Sequence, residues 1–238
     1  MQKKTHQQEF IEDLQLLMIE STSPPLYVAA PARCLFESYE DPPQKFFHIF
    51  FPIHGTGHER REEAIKQAAE RLKSWHTRDS GSYWQKSVDT TSGNIAGGAL
   101  WNIHEENPFT NPQPSTATWF PVGGSRTFAE KAIENHARPR SKAAQRPHIC
   151  GGVGQYFVDW GIKKSHELNM DIYLDSTPYG RPLYEVNGFE YIEENLNMPE
   201  MEDPDDSWRE IRKKVGPFTF WLMRRPVSGR PQESGLEA

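Results

Sequence analysis

The sequence has little cysteine, no long apolar run and no excess of positive charge. Its 238 residues include two cysteines, too few for the disulfide framework of a small secreted domain, and we expect a reducing compartment. No stretch approaches the roughly 18 consecutive apolar residues of a membrane helix, and the N-terminus does not resemble a signal peptide. The net charge of −6 gives no electrostatic reason to bind DNA or RNA. These absences predict a cytoplasmic protein without nucleic-acid or membrane partners.

Large apolar side chains are nevertheless plentiful. The chain has 13 Phe and 7 Trp, and 36% of its residues are hydrophobic, which is enough to fill one core. The mean hydropathy of −0.77 indicates that some segments are solvated rather than packed. The length is that of one domain or of two small ones.

Apolar spacing predicts helices and one hairpin in the first half of the chain. Residues 7–20 and 31–40 repeat apolar side chains at helical spacing, and residues 58–77 do so most clearly. The period then changes to that of strands at 83–89 and 94–103, which a turn-rich segment joins.

The middle of the chain is less regular. Ser125 is expected to cap a helix that runs to about Asn135. Residues 137–150 are basic, contain two prolines and have no apolar run of ordinary strand length, so we predict no strand there. The elements expected after this segment are a helix, a strand, a short helix, a strand, a helix and a strand, at 153–168, 171–175, 179–186, 189–197, 208–215 and 218–223.

A glycine-rich turn opens the helix expected at 153–168. Its sequence is Gly151-Gly152-Val153-Gly154-Gln155. Glycines let backbone N–H groups approach an anion, and a helix N-terminus adds partial positive charge, so the turn suits phosphate. It lacks the third glycine of a dinucleotide fingerprint and the Gly-Lys-Ser/Thr of a Walker A loop. By itself, the turn is more simply explained as an ordinary glycine-rich helix start.

The residues after this turn make the pattern more specific. A strand is followed by a short helix that carries Leu183-Tyr184-Glu185, and Gly188-Phe189 opens the next strand. In this order and spacing, the chain resembles the GNAT superfamily of N-acetyltransferases over about 83–192, and more loosely over 31–77. The resemblance implies an α/β fold with a mixed, mostly antiparallel sheet flanked by helices on both faces.

The resemblance also implies an activity and a site. Members transfer an acetyl group from acetyl-CoA to an amine, here a primary amine of a small molecule or peptide. Tyr184 falls at the position of the general acid, although a packed tyrosine is an equal alternative. The pyrophosphate would be held by backbone N–H groups of the glycine-rich turn, namely Gly151, Gly152, Val153, Gly154 and Gln155. Ser176 and Tyr179 would lie near the pantetheine arm.

The chain departs from the family before the turn. The family's turn begins with Gln or Arg, whereas Ile149 stands at that position, and the central strand and a general base are not evident. We therefore expect an incomplete central sheet, arising from a degenerate member or from an internal deletion. Both explanations predict weak or absent catalysis. The alternative function is a GNAT-fold protein that binds acyl-CoA or a protein partner without turnover.

Boundaries follow from these patterns. We expect an N-terminal helical extension over 1–30, the acetyltransferase domain over 31–224 and a disordered tail over 225–238, which is rich in glycine, proline and charge. Neither the oligomeric state nor the acceptor follows from the sequence.

Other candidate residues point to no second chemistry. His54 and His58 have i, i+4 spacing, but intervening glycines oppose the helix that a zinc pair needs, and we predict no metal site. The carboxylates after His104 fit a solvated loop better than a catalytic position. Cys150 precedes a helix start, where the pKa of a thiol can fall.

Overall fold

The computed structural model describes residues 14–19, 26–152 and 155–227. The strands formed by these residues are β1 Leu14–Ile19, β2 Ser82–Asp89, β3 Ile95–His104, β4 His148–Gly152, β5 Asp171–Ser176, β6 Glu190–Asn197 and β7 Phe218–Arg225. The helices are α1 Leu26–Glu40, α2 Phe47–Phe50, α3 His58–Arg78, α4 Gly124–Ala143, α5 Gln155–Leu168, α6 Arg181–Val186 and α7 Asp206–Val215. Among these helices, none combines the length and apolarity that crossing a bilayer requires.

All seven strands form one sheet, in the order β1-β2-β3-β4-β5-β7-β6. Neighbouring strands are antiparallel except β4 and β5, which are parallel. Helices cover both faces: α5 and α6 pack on one, and α1, α3 and α4 on the other. The predicted fold class, a mixed and mostly antiparallel sheet between helices, is confirmed.

The prediction that the central strand is missing is wrong. Residues 148–152 form β4, which pairs with β3 on one side and β5 on the other. The sheet of the described residues is therefore continuous. Strand β4 was not recognisable in the sequence, because this strand is only five residues long and contains two glycines and a histidine. Its burial comes from neighbouring strands and helices rather than from its own apolar run, with Ile149 fully buried.

The helix predicted over residues 7–20 is also wrong wherever the structure describes that range. Residues 14–19 form β1, the edge strand that pairs antiparallel with β2. Leu14, Leu17 and Met18 satisfy helical spacing, but the short run of Leu, Met and Ile also fits a strand, and tertiary pairing decides. The next helix begins at Leu26 and includes Pro31, so it starts before the predicted residue 31.

Helix α4 is longer than expected and starts differently. It runs from Gly124 to Ala143, past the predicted end near Asn135, and it contains Pro139. Ser125 lies inside the helix, and Gly123 is the N-cap. The extra two turns matter because they carry His136 and Arg140 across the sheet toward β5.

Helix α3 and the β2–β3 hairpin confirm the strongest periodic signals. The buried stripe of α3 consists of alanines with Ile65 and Leu72, at the spacing seen in the sequence. Each of these two larger side chains contributes about 1.5–3 kcal/mol by its burial. The elements from α5 to β7 also lie close to their predicted positions; residues 153–154 and the tail from residue 228 lie outside the described residues.

Candidate functional site

The parallel strands β4 and β5 separate partway along their length. They pair at His148–Asp171, Ile149–Ile172 and Cys150–Tyr173. Beyond these pairs β4 stays on β3 as far as Gly152, while β5 stays on β7 as far as Ser176. The sheet therefore opens between Gly151 of β4 and Leu174 of β5. Irregular pairing inside a sheet leaves backbone groups available for a ligand.

Helix α5 begins at Gln155, directly beyond this opening. The glycine-rich segment therefore begins within β4 and ends at the first residue of α5. Gly151 and Gly152 are the last residues of the strand, and Val153 and Gly154 lie outside the described residues. An N-terminus of a helix of this length carries partial positive charge and orphan N–H groups, which suit an anion.

Gly151 also has a packing role that the sequence did not reveal. A Cβ on Gly151 would lie 2.6 Å from Cζ3 of Trp101, and a Cβ on Gly161 of α5 would lie 2.6 Å from Cζ2 of the same ring. The fully buried indole of Trp101 therefore fits between the two glycines. Its Nε1 donates a hydrogen bond of 3.0 Å to Oε1 of Gln85. This arrangement packs α5 tightly against β3 and β4.

Tyr184 lies on the same face of the sheet as α5. It is 6% exposed, and its ring makes an edge-to-face contact with Phe189 at 5.5 Å. It shares one apolar cluster with Phe157 and Val158 of α5. Burial in this cluster fits a packed tyrosine, and the position beside α5 fits a general acid. The geometry is therefore compatible with both roles.

The two residues predicted near the pantetheine arm differ in exposure. Ser176 is buried at the end of β5, and its hydroxyl donates a hydrogen bond of 2.9 Å to the carbonyl oxygen of Thr177. Tyr179 is 64% exposed in the turn between β5 and α6. Both belong to the β5–α6 connection, which borders the opening.

A polar cluster lies on the opposite face of the sheet. Asp175 of β5 accepts a hydrogen bond of 2.8 Å at Oδ2 from Nη1 of Arg140, and Nε2 of His136 lies 3.6 Å from the same oxygen. The Asp175 side chain is 5% exposed. Asp175 stands two residues beyond the last pair of β4 and β5, so the cluster borders the opening.

Three atoms of this cluster are buried without a hydrogen-bond partner in the described part of the chain: Nδ1 of His136, Nε of Arg140 and Oδ1 of Asp175. Leaving such groups unpaired costs about 1–3 kcal/mol each. Three orphan polar atoms in one place are typical of a site that a polar ligand or water completes.

Burial lowers the pKa of His136 and outweighs the carboxylate of Asp175, which acts in the opposite direction. The imidazole is therefore neutral at pH 7 and can accept a proton. Asp175 would then stabilise the imidazolium that forms. Sequence reasoning missed this pair for two reasons. His136 lies beyond the predicted end of its helix, and His136 and Asp175 are too far apart along the chain to belong to one motif.

Cys150 shows no sign of the lowered thiol pKa that a position near a helix start can cause. The pKa of its thiol is raised to about 11, because burial outweighs the charge of Arg140. The thiol is 5% exposed and lies within β4, short of the helix N-terminus that would lower its pKa. Cys150 is therefore protonated at neutral pH and is no activated nucleophile.

Three features agree with the fold that the sequence resemblance implies: the strand order, the one parallel pair that separates, and the helix that starts at the separation.

Comparisons with known proteins found an acyltransferase and several N-acetyltransferases of low similarity to this chain. No protein-family model matches the sequence. A probable acyltransferase SID5 from Ajellomyces capsulatus is 26% identical over 103 residues, which cover 39% of this chain and 72% of that protein. The ribosomal-protein-S5-alanine acetyltransferase from Vibrio fischeri has a TM-score of 0.41 at 14% identity, covering 92% of this chain and 96% of its own. The N-acetyltransferase PseH from Campylobacter jejuni has a TM-score of 0.39 at 12% identity, with coverages of 91% and 99%.

Proposed function

We propose that this protein is an acetyl-CoA-dependent N-acetyltransferase that acts on a primary amine of a small molecule or peptide. The observation that carries the proposal is the opening between β4 and β5, bordered by the start of α5 on one face and by the orphan polar atoms of His136, Arg140 and Asp175 on the other. The similarity to a probable acyltransferase supports the same reaction class.

The cofactor would bind at this opening. Backbone N–H groups from Gly151 to Gln155 would hold the pyrophosphate of acetyl-CoA, because the turn precedes a helix N-terminus. The pantetheine arm would run along the β5–α6 connection, where Ser176 and Tyr179 lie. The thioester would then lie in the opening between β4 and β5, beside Asp175.

Acetyl transfer needs a neutral amine and a good leaving group. His136 would accept the proton of the acceptor ammonium, and the Asp175 carboxylate, 3.6 Å from Nε2, would stabilise the imidazolium. The amine nitrogen then attacks the thioester carbonyl and the carbon–sulfur bond breaks. Tyr184 would give its proton to the departing thiolate, and the remaining extra proton of the nitrogen would pass to the Tyr184 oxygen, which leaves a neutral amide and a neutral tyrosine. Arg140 would hold the Asp175 carboxylate in place through their 2.8 Å contact.

The alternative function, binding without turnover, had two grounds in the sequence. It rested on a missing central strand and on the lack of a general base. Strand β4 is present, and His136 beside Asp175 is a candidate base. We therefore favour turnover over a binding-only role.

The proposal is tested by incubating the purified full-length protein with acetyl-CoA and a panel of primary amines, including polyamines and peptides. Release of the CoA thiol and the mass of the acetylated amine are measured together. We expect amine-dependent thiol release with at least one acceptor, and His136→Gln should lower kcat by about 100-fold or more.

A matched variant is His58→Gln, which changes an exposed histidine at the start of α3. It should leave kcat unchanged. Equal loss in both variants, or thiol release that is independent of every amine while acetyl-CoA binds, would contradict the proposed reaction.

A further inference from the structure

Two histidines and a cysteine face one another on the β3–β4 pair. His104 and His148 stand directly opposite in the antiparallel register, and Cys150 lies two residues along the same face of β4. One donor atom from each residue lies within 4.8 Å of the other two. His104 lies far from His148 and Cys150 along the chain, so the cluster has no recognisable spacing in the sequence.

The hydrogen bonding of His148 leaves one nitrogen ready to coordinate. Its Nδ1 lies 2.7 Å from the carbonyl oxygen of Arg146, so Nδ1 carries the proton and donates. The lone pair is then on Nε2, which is buried and has no hydrogen-bond partner among the described residues. The whole residue is 1% exposed. A histidine that donates one ring N–H to a backbone carbonyl and offers the other nitrogen is the common arrangement of a metal ligand.

The three residues supply two imidazole nitrogens and one sulfur as donor atoms. Two nitrogen atoms and a thiolate sulfur form a ligand set that suits zinc and related ions.

Charged groups of both signs act electrostatically on the three residues. They include Arg140 of α4, Asp79 before β2, and Asp171 and Asp175 of β5. Asp175 pairs with Arg140, and Asp171 pairs with Arg224. The aromatic rings of Phe109 and Tyr173 pack against His148 and limit the access of water. A low-polarity shell of this kind strengthens coordination.

We propose that His104, His148 and Cys150 form a three-ligand site for a divalent zinc-class ion, with a fourth position open to water. Tetrahedral coordination at ordinary zinc distances places donor atoms about 3.3–3.7 Å apart, so the three atoms close by roughly 1 Å on binding. The thiol proton of Cys150 leaves to solvent as the metal–sulfur bond forms. The ion joins β3 to the short strand β4 immediately before the opening.

The test uses the full-length protein, freed of metal with a chelator and titrated with Co²⁺ as a spectroscopic probe. We expect one equivalent to bind, with the near-ultraviolet charge-transfer absorption of a thiolate–cobalt bond, and Zn²⁺ to displace it. Cys150→Ser should abolish this absorption. The control Cys34→Ser removes the other cysteine, which lies on α1, and should retain it.

A second variant guards against misfolding. His104 is only partly buried, so His104→Gln is expected to keep a native far-ultraviolet circular dichroism spectrum while weakening metal binding at least about tenfold. Binding is measured without turnover, so the result is independent of the acetyltransferase proposal. A folded wild-type protein that binds neither ion, or that binds them as tightly after His104→Gln and Cys150→Ser, would show that the three residues only pack together.

Discussion

Trp101 illustrates how single residues set the packing beside the opening. Its indole fits between Gly151 of β4 and Gly161 of α5, and the two positions leave no room for a methyl group. Gly161→Ala should therefore destabilise the protein by about 1–3 kcal/mol through overpacking, although alanine favours a helix by about 1 kcal/mol over glycine. Urea unfolding at equilibrium measures the difference.

Gly98→Ala is the matched control for this prediction. A Cβ there would meet only the carbonyl oxygen of Gln85, at an ordinary 3.6 Å. Its stability should change far less than that of Gly161→Ala. If Gly161→Ala is as stable as the wild type, Trp101 is not confined as the structure indicates.

His48 makes stability depend on pH. Its pKa is lowered from 6.5 to about 4, because burial and then the charge of Lys214 disfavour the imidazolium. Above pH 6.5 both folded and unfolded forms are neutral. Between pH 6.5 and 4 the unfolded chain binds more protons, so stability falls as the pH falls. From pH 7 to 5, wild type should lose about 1 kcal/mol more than His48→Gln, with allowance for the partial exposure of His48.

Urea midpoints at the two pH values give this comparison directly. Parallel losses in the wild type and His48→Gln would mean that His48 is protonated equally in both states.

At the residue scale, the sequence led to Tyr184 and the glycine-rich turn but not to His136 or Asp175. A motif records residues close in sequence, and Tyr184 belongs to one. His136 and Asp175 are brought together only by the packing of α4 across β5. Their roles in catalysis, like that of Tyr184, stay predictions.

Asp205 acts at the scale of elements, because it connects two helices. Its Oδ1 accepts a hydrogen bond of 2.8 Å from the backbone N–H of Trp208 and caps α7, while its Oδ2 accepts one of 2.9 Å from Gly124 at the start of α4. Asp205→Ala removes both contacts at once. We expect a clear decrease in the thermal midpoint, larger than that of an ordinary cap loss.

Asp206→Ala provides the comparison for this prediction, since Asp206 is the next residue and its side chain is 95% exposed. Its thermal midpoint should change little. Similar midpoints for both variants would show that the contact between α7 and α4 through Asp205 contributes nothing.

Elements were predictable where the chain itself supplies the pattern. The apolar stripe of α3 and the alternating burial of β3 belong to their own residues. Strand β4 has no such pattern, since its partners on both sides bury it, and β1 fits a helical period equally well. The pairing that decides both cases is not local.

At the scale of the whole molecule, the fold class predicted from the order of elements is correct, although the predictions for β1 and β4 were wrong. The sheet carries β4 and β5 as its one parallel pair, and their separation creates the opening that the proposed function uses. The orphan atoms of Arg140, His136 and Asp175 lie on one face of it, and Tyr184 on the other.

The most direct test of this account is thermal unfolding of the full-length protein with and without acetyl-CoA, with ATP as a control for general phosphate binding. A ligand at about 100 times its dissociation constant adds roughly 2.7 kcal/mol to the folded state, which raises the midpoint of a protein of this size by roughly 5 °C or more. We predict this rise with acetyl-CoA and none with ATP. A cooperative transition whose midpoint acetyl-CoA leaves unchanged would contradict a cofactor site between β4 and β5.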